Sequence, residues 1–172
     1  MEIRLISIQD AEMISRYYID NEEHFKPWMP ARAYGFHSEE SWCRRVVEHL
    51  SAQEKGDATF FIAVAGNVML GHCNLTQIVR GPFQACYMGC GVSSVAEGKG
   101  IAYKLCQHAI THAFHNVGLH RIMANYMPHN NRSAKLLSRL GFVIEGMAKD
   151  YLKIGGRWQN HVLTSLTSNV GA

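Results

Sequence analysis

Residues 89–109 read GCGVSSVAEGKGIAYKLCQHA, a glycine-rich loop that opens directly onto a run with helical apolar spacing. The first turn of such a helix presents unpaired N–H groups and the positive end of the helix dipole, and glycine removes the Cβ that would hold a phosphate away. A pyrophosphate is the ligand this arrangement suits. Two nucleotide-binding patterns do not fit. A Walker loop needs Ser or Thr after Gly-Lys, whereas Gly100 follows Lys99; a Rossmann fingerprint needs a third glycine where Tyr103 stands. Taken alone, G-x-G before a helix reads equally as a plain strand-to-helix turn.

A second polar cluster lies in HNNRSAKLLSRLGF, where Asn130 stands at the start of a short helix and Ser133 in its first turn. Asn130 reads as an N-cap as readily as a ligand contact, and Ser133 reads as a helix-start hydroxyl as well as a proton donor. His108, His112 and His115 share one side of a helix at spacings that could hold a metal. No carboxylate is in register with them, so a solvated helix face is the expectation, and no metal site is expected. The five cysteines are scattered without close C-x2-C pairs and read as reduced, small apolar side chains.

These groups need a scaffold, and the periodicities supply one. Glu2 to Ser7 reads as a strand, and Asp10 opens a helix with Met13, Ile14, Tyr17 and Tyr18 on one face. HFKPWMPARAYGFHS reads as an aromatic loop with packing of its own. Ser38 then caps a second helix bearing Trp42, Val46, Val47 and Leu50. TFFIAVA and VMLGHCNLTQIV flank a Gly66-Asn67 turn and predict a hairpin, with a third strand over FQACYMGCGV. The central helix runs from Gly100 to a Gly118 stop, HRIMANYM alternates as a strand, and a helix ends at Gly141. Strands follow around FVIEGMAKDYLK and RWQNHVLTSLT. The predicted order is β-α-α-β-β-β-α-β-α-β-β, with helices on both faces of one mixed sheet of six to seven strands.

The chain has 172 residues, 47% apolar and 18% charged, which suits one globular domain over 1–172 and excludes disordered or fibrous classes. A net charge of +3 without a Lys/Arg run names no nucleic-acid or membrane partner. The charged start MEIRLISIQD and short apolar stretches point to a cytoplasmic protein rather than a secreted or membrane one.

The sequence Glu97-Gly98-Lys99-Gly100-Ile101-Ala102 resembles the acyl-CoA loop of the Gcn5-related N-acetyltransferase (GNAT) superfamily, usually Gln or Arg, two residues, Gly, one residue, then Gly or Ala. Glu97 departs from the first position. HNNRSAKLLSRLGF resembles the second block of that superfamily at the expected distance. HFKPWMP, HRIMANYMPHNNRS and EGMAKDYLKIGGRWQNHVLTSLT resemble the branch that acetylates the N-terminal alanine of ribosomal proteins, of the small-subunit kind.

This resemblance implies a fold whose sheet splays between two parallel strands, with acetyl-CoA in the gap. It also implies pantetheine paired with backbone near Cys90 and Val92, the phosphates over residues 97–102, Asn130 on the pantetheine arm and Ser133 near the sulfur. The superfamily's usual Tyr is replaced by Leu137, so Ser133 becomes the candidate acid. Glu145 is the candidate catalytic base, with Glu22 and Glu23 as further acidic candidates; an exposed structural role competes for each. His24, Trp28, Tyr126 and Tyr151 are expected to build the acceptor mouth, against a reading as packing anchors. The implied acceptor is a ribosomal-protein N-terminus on the assembling small subunit. A small amine such as a polyamine or an aminocyclitol remains a second reading, and a non-catalytic CoA-binding regulator or ribosome-assembly factor a third.

Overall fold

In the computed structural model, which describes residues 1–168, seven strands form one sheet in the order β1-β2-β3-β4-β5-β7-β6. They are β1 (Glu2–Leu5), β2 (Thr59–Ala65), β3 (Val68–Val79), β4 (Ala85–Val92), β5 (Arg121–Met123), β6 (Val143–Ile154) and β7 (Arg157–Thr167). Every neighbouring pair is antiparallel except β4 and β5. The helices are α1 (Ala11–Asp20), α2 (Glu22–Phe25), α3 (Glu39–Lys55), α4 (Ile101–Thr111) and α5 (Asn131–Arg139). The mixed sheet and the helix order agree with the sequence reading, apart from the single turn of α2.

Strand alternation divides the core. Phe60, Ile62 and Val64 of β2 pack with Tyr17 and Tyr18 of α1 and Trp42 and Val46 of α3 on one face. Phe61 and Ala63 pack with Leu105, Cys106 and Ala109 of α4 and Leu137 of α5 on the other. Leu105 is fully buried, and truncating such a leucine to alanine costs about 2–5 kcal/mol. The Ser38 cap of α3 is made as expected, its Oγ accepting from Ser41 N at 3.3 Å.

Two elements differ from expectation. The predicted central helix ends its α-helical geometry at Thr111, and His112–Asn116 winds as one π turn closed by Val117 N donating to His112 O at 3.0 Å. The predicted strand 120–127 pairs as β5 only over Arg121–Met123. Past Met123 the chain leaves β4, with Ala124 N donating to Thr164 O at 3.1 Å and Tyr126 bridging Val162. That departure splays the sheet and opens the cleft. His108 and His115 lie on a solvated helix face as expected, His112 is partly buried, and the rings of His108 and His112 meet Phe61 edge-on at 4.9 and 5.1 Å.

Candidate functional site

β4 and β5 pair only through Ala85, Cys86 and Tyr87, so Met88 to Val92 keep β3 on one side and face a gap on the other. Ser93 N donates to Leu70 O of β3 at 2.9 Å. By strand alternation the backbone groups of Val92 and Cys90 therefore turn into the gap. The cleft there encloses about 180 Å³ and takes its walls from Gly89, Cys90, Asn125, Tyr126, Asn130 and Ser133, among others, with Trp28 and the buried His161 also in its lining. An open strand edge facing a gap can pair an extended amide-bearing ligand as if it were another strand.

Beyond Val92 the strand turns through Ser94–Ala96 into the loop that precedes α4. Gly98 (φ 71°) and Gly100 (φ 72°) take left-handed conformations that side chains disfavour, and a Cβ on either would meet nothing within 4 Å. Gly100 occupies the N-cap of α4 and offers no side-chain cap, so the first-turn amides of Ile101 and Ala102 stay free for an outside acceptor. Ser93 is 3% exposed and its Oγ has no partner among the described residues. An uncapped helix start, two open glycine positions and an orphaned buried hydroxyl fit a diphosphate-bearing ligand. Lys99 is exposed beside them.

Glu97 makes structural sense of its departure from the usual Gln or Arg. Its carboxylate pairs with Arg132 of α5 and lies 3.5 Å from His24 Nε2. The loop is thereby tied to the helix that carries Ser133. His24 Nε2–H donates to Val92 O at 3.2 Å. His24, expected in the acceptor mouth, thus stands instead at the end of β4, on the edge of the gap.

On α5, Asn130 Oδ1 accepts from Ser133 N at 3.1 Å, so the capping reading of Asn130 is realised while its side chain still lines the cleft. Ser133 lines the same wall, half-buried. The exposed Cys90 sets its thiol against Cys106, and that hydrogen bond, then desolvation, holds the thiol well above the ordinary cysteine range. Trp28 packs against His129 with ring centroids 5.7 Å apart. Tyr151 does not line the cleft itself, but its hydroxyl accepts from Asn125 Nδ2 at 3.2 Å and donates to Tyr87 at 3.5 Å. Asn125, Tyr87, His161 and Gly89 are site residues that sequence reasoning missed. Only the G-C-G spacing around Cys90 gave any signal for Gly89.

Glu145 is not brought to the cleft. Its carboxylate pairs with Arg121 at the start of β5, and its Oε1 accepts from Ser165 Oγ at 2.8 Å. Arg121 lies opposite Ala85, whereas the gap opens from Met88 onward. The hydrogen bond from Arg121 first, and that from Ser165 second, hold Glu145 below its ordinary pKa, and an ion-paired carboxylate of that kind is a poor base. Glu23 is exposed and paired with Lys26 at 3.0 Å, and Glu22 faces a different cavity. Among the described residues no group of three or more His, Cys, Asp or Glu side chains is placed to hold a metal ion, and no helix is long and apolar enough to cross a membrane.

Comparison with known proteins identifies the family. A family model described as an acetyltransferase (GNAT) domain matches residues 1–143. The chain belongs to the GNAT acetyltransferase family. It is 40% identical over 168 residues to the [ribosomal protein uS5]-alanine N-acetyltransferase of Escherichia coli (strain K12), covering 96% of this chain and 87% of that protein. Among solved structures, the ribosomal-protein-S5-alanine acetyltransferase from Vibrio fischeri superposes with a TM-score of 0.95 at 37% identity, over 99% of this chain and 94% of that one. Mycobacterium smegmatis RimJ, solved in complex with CoA-disulfide, superposes with a TM-score of 0.92 at 27% identity, over 99% and 83%. This GNAT chain is an N-acetyltransferase, and acetyl-CoA is its acyl donor.

Proposed function

We propose that this chain, acting as a single cytoplasmic domain, acetylates the N-terminal α-amine of a small-subunit ribosomal protein, with alanine as the acceptor residue. The observation that carries this acceptor is the 40% identity, across 96% of the chain, to an enzyme named for that reaction on uS5. In this reading the partner is that protein's N-terminus, presented free or on the assembling small subunit, and neither DNA nor a membrane takes part.

Acetyl-CoA supplies an activated acetyl thioester. The open edge at Cys90 and Val92, together with Asn130 Nδ2, would hold the pantetheine arm. The loop from Glu97 to Ala102, through Gly98, Lys99, Gly100 and Ile101, would hold the diphosphate. Ser133 Oγ would give a proton to the departing sulfur as the amine nitrogen bonds to the acetyl carbon and the C–S bond breaks, and the proton shed by that nitrogen would pass through water to restore the Ser133 hydroxyl. The acceptor amine must arrive unprotonated. An α-amine has a reference pKa near 8, a lysine near 10.4, so lysine costs about 3 kcal/mol more to deprotonate. An α-amine therefore needs no strong base, which accords with a cleft that Glu145 does not reach. Trp28, Tyr126 and, through Asn125, Tyr151 shape the acceptor side.

The test is to incubate the protein with acetyl-CoA and three acceptors: an alanine-starting ribosomal peptide, the same peptide N-blocked but containing lysine, and spermidine. Thiol release and acceptor mass are followed. Acetylation confined to the free N-terminus is the expected result. Turnover with spermidine alone would transfer the reading to small amines, and CoA binding with no turnover would favour a regulator.

A further inference from the structure

An amine that attacks a thioester becomes cationic as its nitrogen bonds to the acyl carbon, and the proton it sheds needs a first acceptor. Among the described residues that line the cleft there is no Asp, Glu, Lys or Arg. The titratable side chains of the lining are Cys90, Tyr126 and His161. The Cys90 thiol is committed to Cys106, and that hydrogen bond, then burial, holds it well above the ordinary cysteine range. Phenols keep their protons at neutral pH, whereas imidazole exchanges one between about pH 5 and 8. The lining residue that carries an imidazole is His161.

The fold fixes this ring and leaves one of its nitrogens over. His161 is 4% exposed on β7. Its Nδ1 lies 3.0 Å from Gln159 O; a carbonyl can only accept, so Nδ1 carries the hydrogen and Nε2, across the ring, carries a lone pair. Nε2 has no hydrogen-bond partner among the described residues. Tyr151 of β6 packs against the ring with centroids 5.5 Å apart. The Tyr151 hydroxyl is itself held by Asn125 at 3.2 Å and Tyr87 at 3.5 Å, which anchors the brace to the segment after β5 and to β4. The hydrogen bond to Tyr87 first, then burial, holds that phenol above its ordinary range, so it does not compete for the proton.

His161 also meets the gap from the side opposite the candidate acid. Alternation along β7 from the Met123–Ser165 pair puts it on the sheet face of Tyr87, while Cys86 and Ile122 point to the other face, where α4 and Leu137 of α5 pack. Ser133 reaches the cleft from α5. A base on one face and an acid on the other suit an amine that enters opposite the leaving sulfur.

We propose that His161 is the general base of the acetyl transfer. Nε2 takes the proton from the amine nitrogen as the C–N bond forms and the C–S bond breaks. The imidazolium then passes that proton through water to the oxygen of Ser133, whose own proton has gone to the sulfur, and both groups return to their starting state. The inference rests on the proposed placement of acetyl transfer in this cleft, and it holds for either class of amine.

The test measures kcat/KM for the acceptor that the wild-type protein acetylates, KM for acetyl-CoA, and Tm, in wild type, His161→Asn, His161→Ala and Ser133→Ala. Asparagine keeps a donor for Gln159 O but has no basic nitrogen. In His161→Asn, kcat/KM should fall about 100-fold or more, the usual worth of a general base, with KM for acetyl-CoA within about twofold of wild type. Added imidazole should restore turnover to His161→Ala in proportion to its unprotonated form and leave the wild-type rate unchanged. Wild-type turnover in His161→Asn beside an impaired Ser133→Ala would overturn the base and leave the cleft as the site. Wild-type turnover in both variants would overturn both readings. A loss in His161→Ala that follows a lowered Tm and that imidazole does not restore would show a packing role alone and overturn the proposal.

Discussion

Lowering the pH from 7 to 5 should weaken this protein through His72, a side chain packed among aromatic rings. Its ring packs between Tyr17, Tyr18 and Phe25, with Nδ1 3.3 Å from the Tyr17 hydroxyl, and it fills the space above Gly91, where a Cβ would come within 2.8 Å of its Cε1. Burial lowers its pKa from 6.5 to about 4. The unfolded chain therefore takes up the proton first as pH falls, and stability drops through the window from 6.5 to 4 and levels off below it. At pH 5 the unfolded ring is almost wholly protonated and the folded one about a tenth so, a ratio near 30 that corresponds to about 2 kcal/mol. His37 and His49 are held at about 4 as well, by burial first and then by nearby arginine charge. The wild-type slope alone thus does not isolate His72. Urea unfolding at pH 7 and pH 5, followed by the fluorescence of buried Trp42, should be compared between wild type and His72→Asn. The variant should lose about 2 kcal/mol less than wild type between the two pH values. Equal losses in the two proteins would refute the assignment of acid sensitivity to this ring.

Gly71→Ala would set a Cβ 2.7 Å from Gly91 O and 2.9 Å from Val92 Cγ1, pressing on the strand whose far edge faces the cleft. Overpacking of that kind costs about 1–3 kcal/mol, so a lower Tm and weaker CoA binding by calorimetry are expected, and an unchanged Tm would contradict the packing described. Asn130→Ala removes the cap on Ser133 N and should cost about 1 kcal/mol in urea unfolding, with Asn130→Asp restoring most of it. Glu97→Gln keeps the side-chain shape but removes a negative charge beside the anion site; CoA should bind more tightly in calorimetry, and weaker binding would show that the Glu97–Arg132 pair is needed to hold the loop.

The geometry of the candidate cofactor loop was legible in the sequence because it is built from backbone that is local in the chain. Gly98 and Gly100 declare their left-handed conformations by being glycine, and the helix after them declares its uncapped start. β2 and β3 fall at their predicted bounds because a Gly66-Asn67 turn separates two strongly apolar runs. The end of β5 was not legible. HRIMANYM keeps strand alternation past Met123, and whether an alternating segment pairs depends on where its neighbour goes, which its own residues do not encode. The π turn at His112–Asn116 follows the same logic, since its residues continue the helical apolar period.

The proposed acceptor half gathers side chains from the loop after α2, from β4, from the segment after β5 and from the β6–β7 hairpin, brought together by strand order. Asn125 is joined to Tyr151 across 26 residues and Tyr87 to Tyr151 across 64. No spacing rule reaches that far. Glu145 shows the same blindness in reverse: it follows the Gly141-Phe142 pair closely in sequence, yet strand direction carries it to the end of β5 away from the gap. The division follows from the chemistry asked of each half. Binding a constant cofactor can be left to backbone amides, which any sequence supplies once glycines set their direction. Choosing among acceptors needs particular side chains at particular places, and the fold gathers those from wherever its topology permits. Specificity in this protein should accordingly change by substitution along the 26–38 loop, while the loop at 97–102 and the open edge of β4 stay as they are.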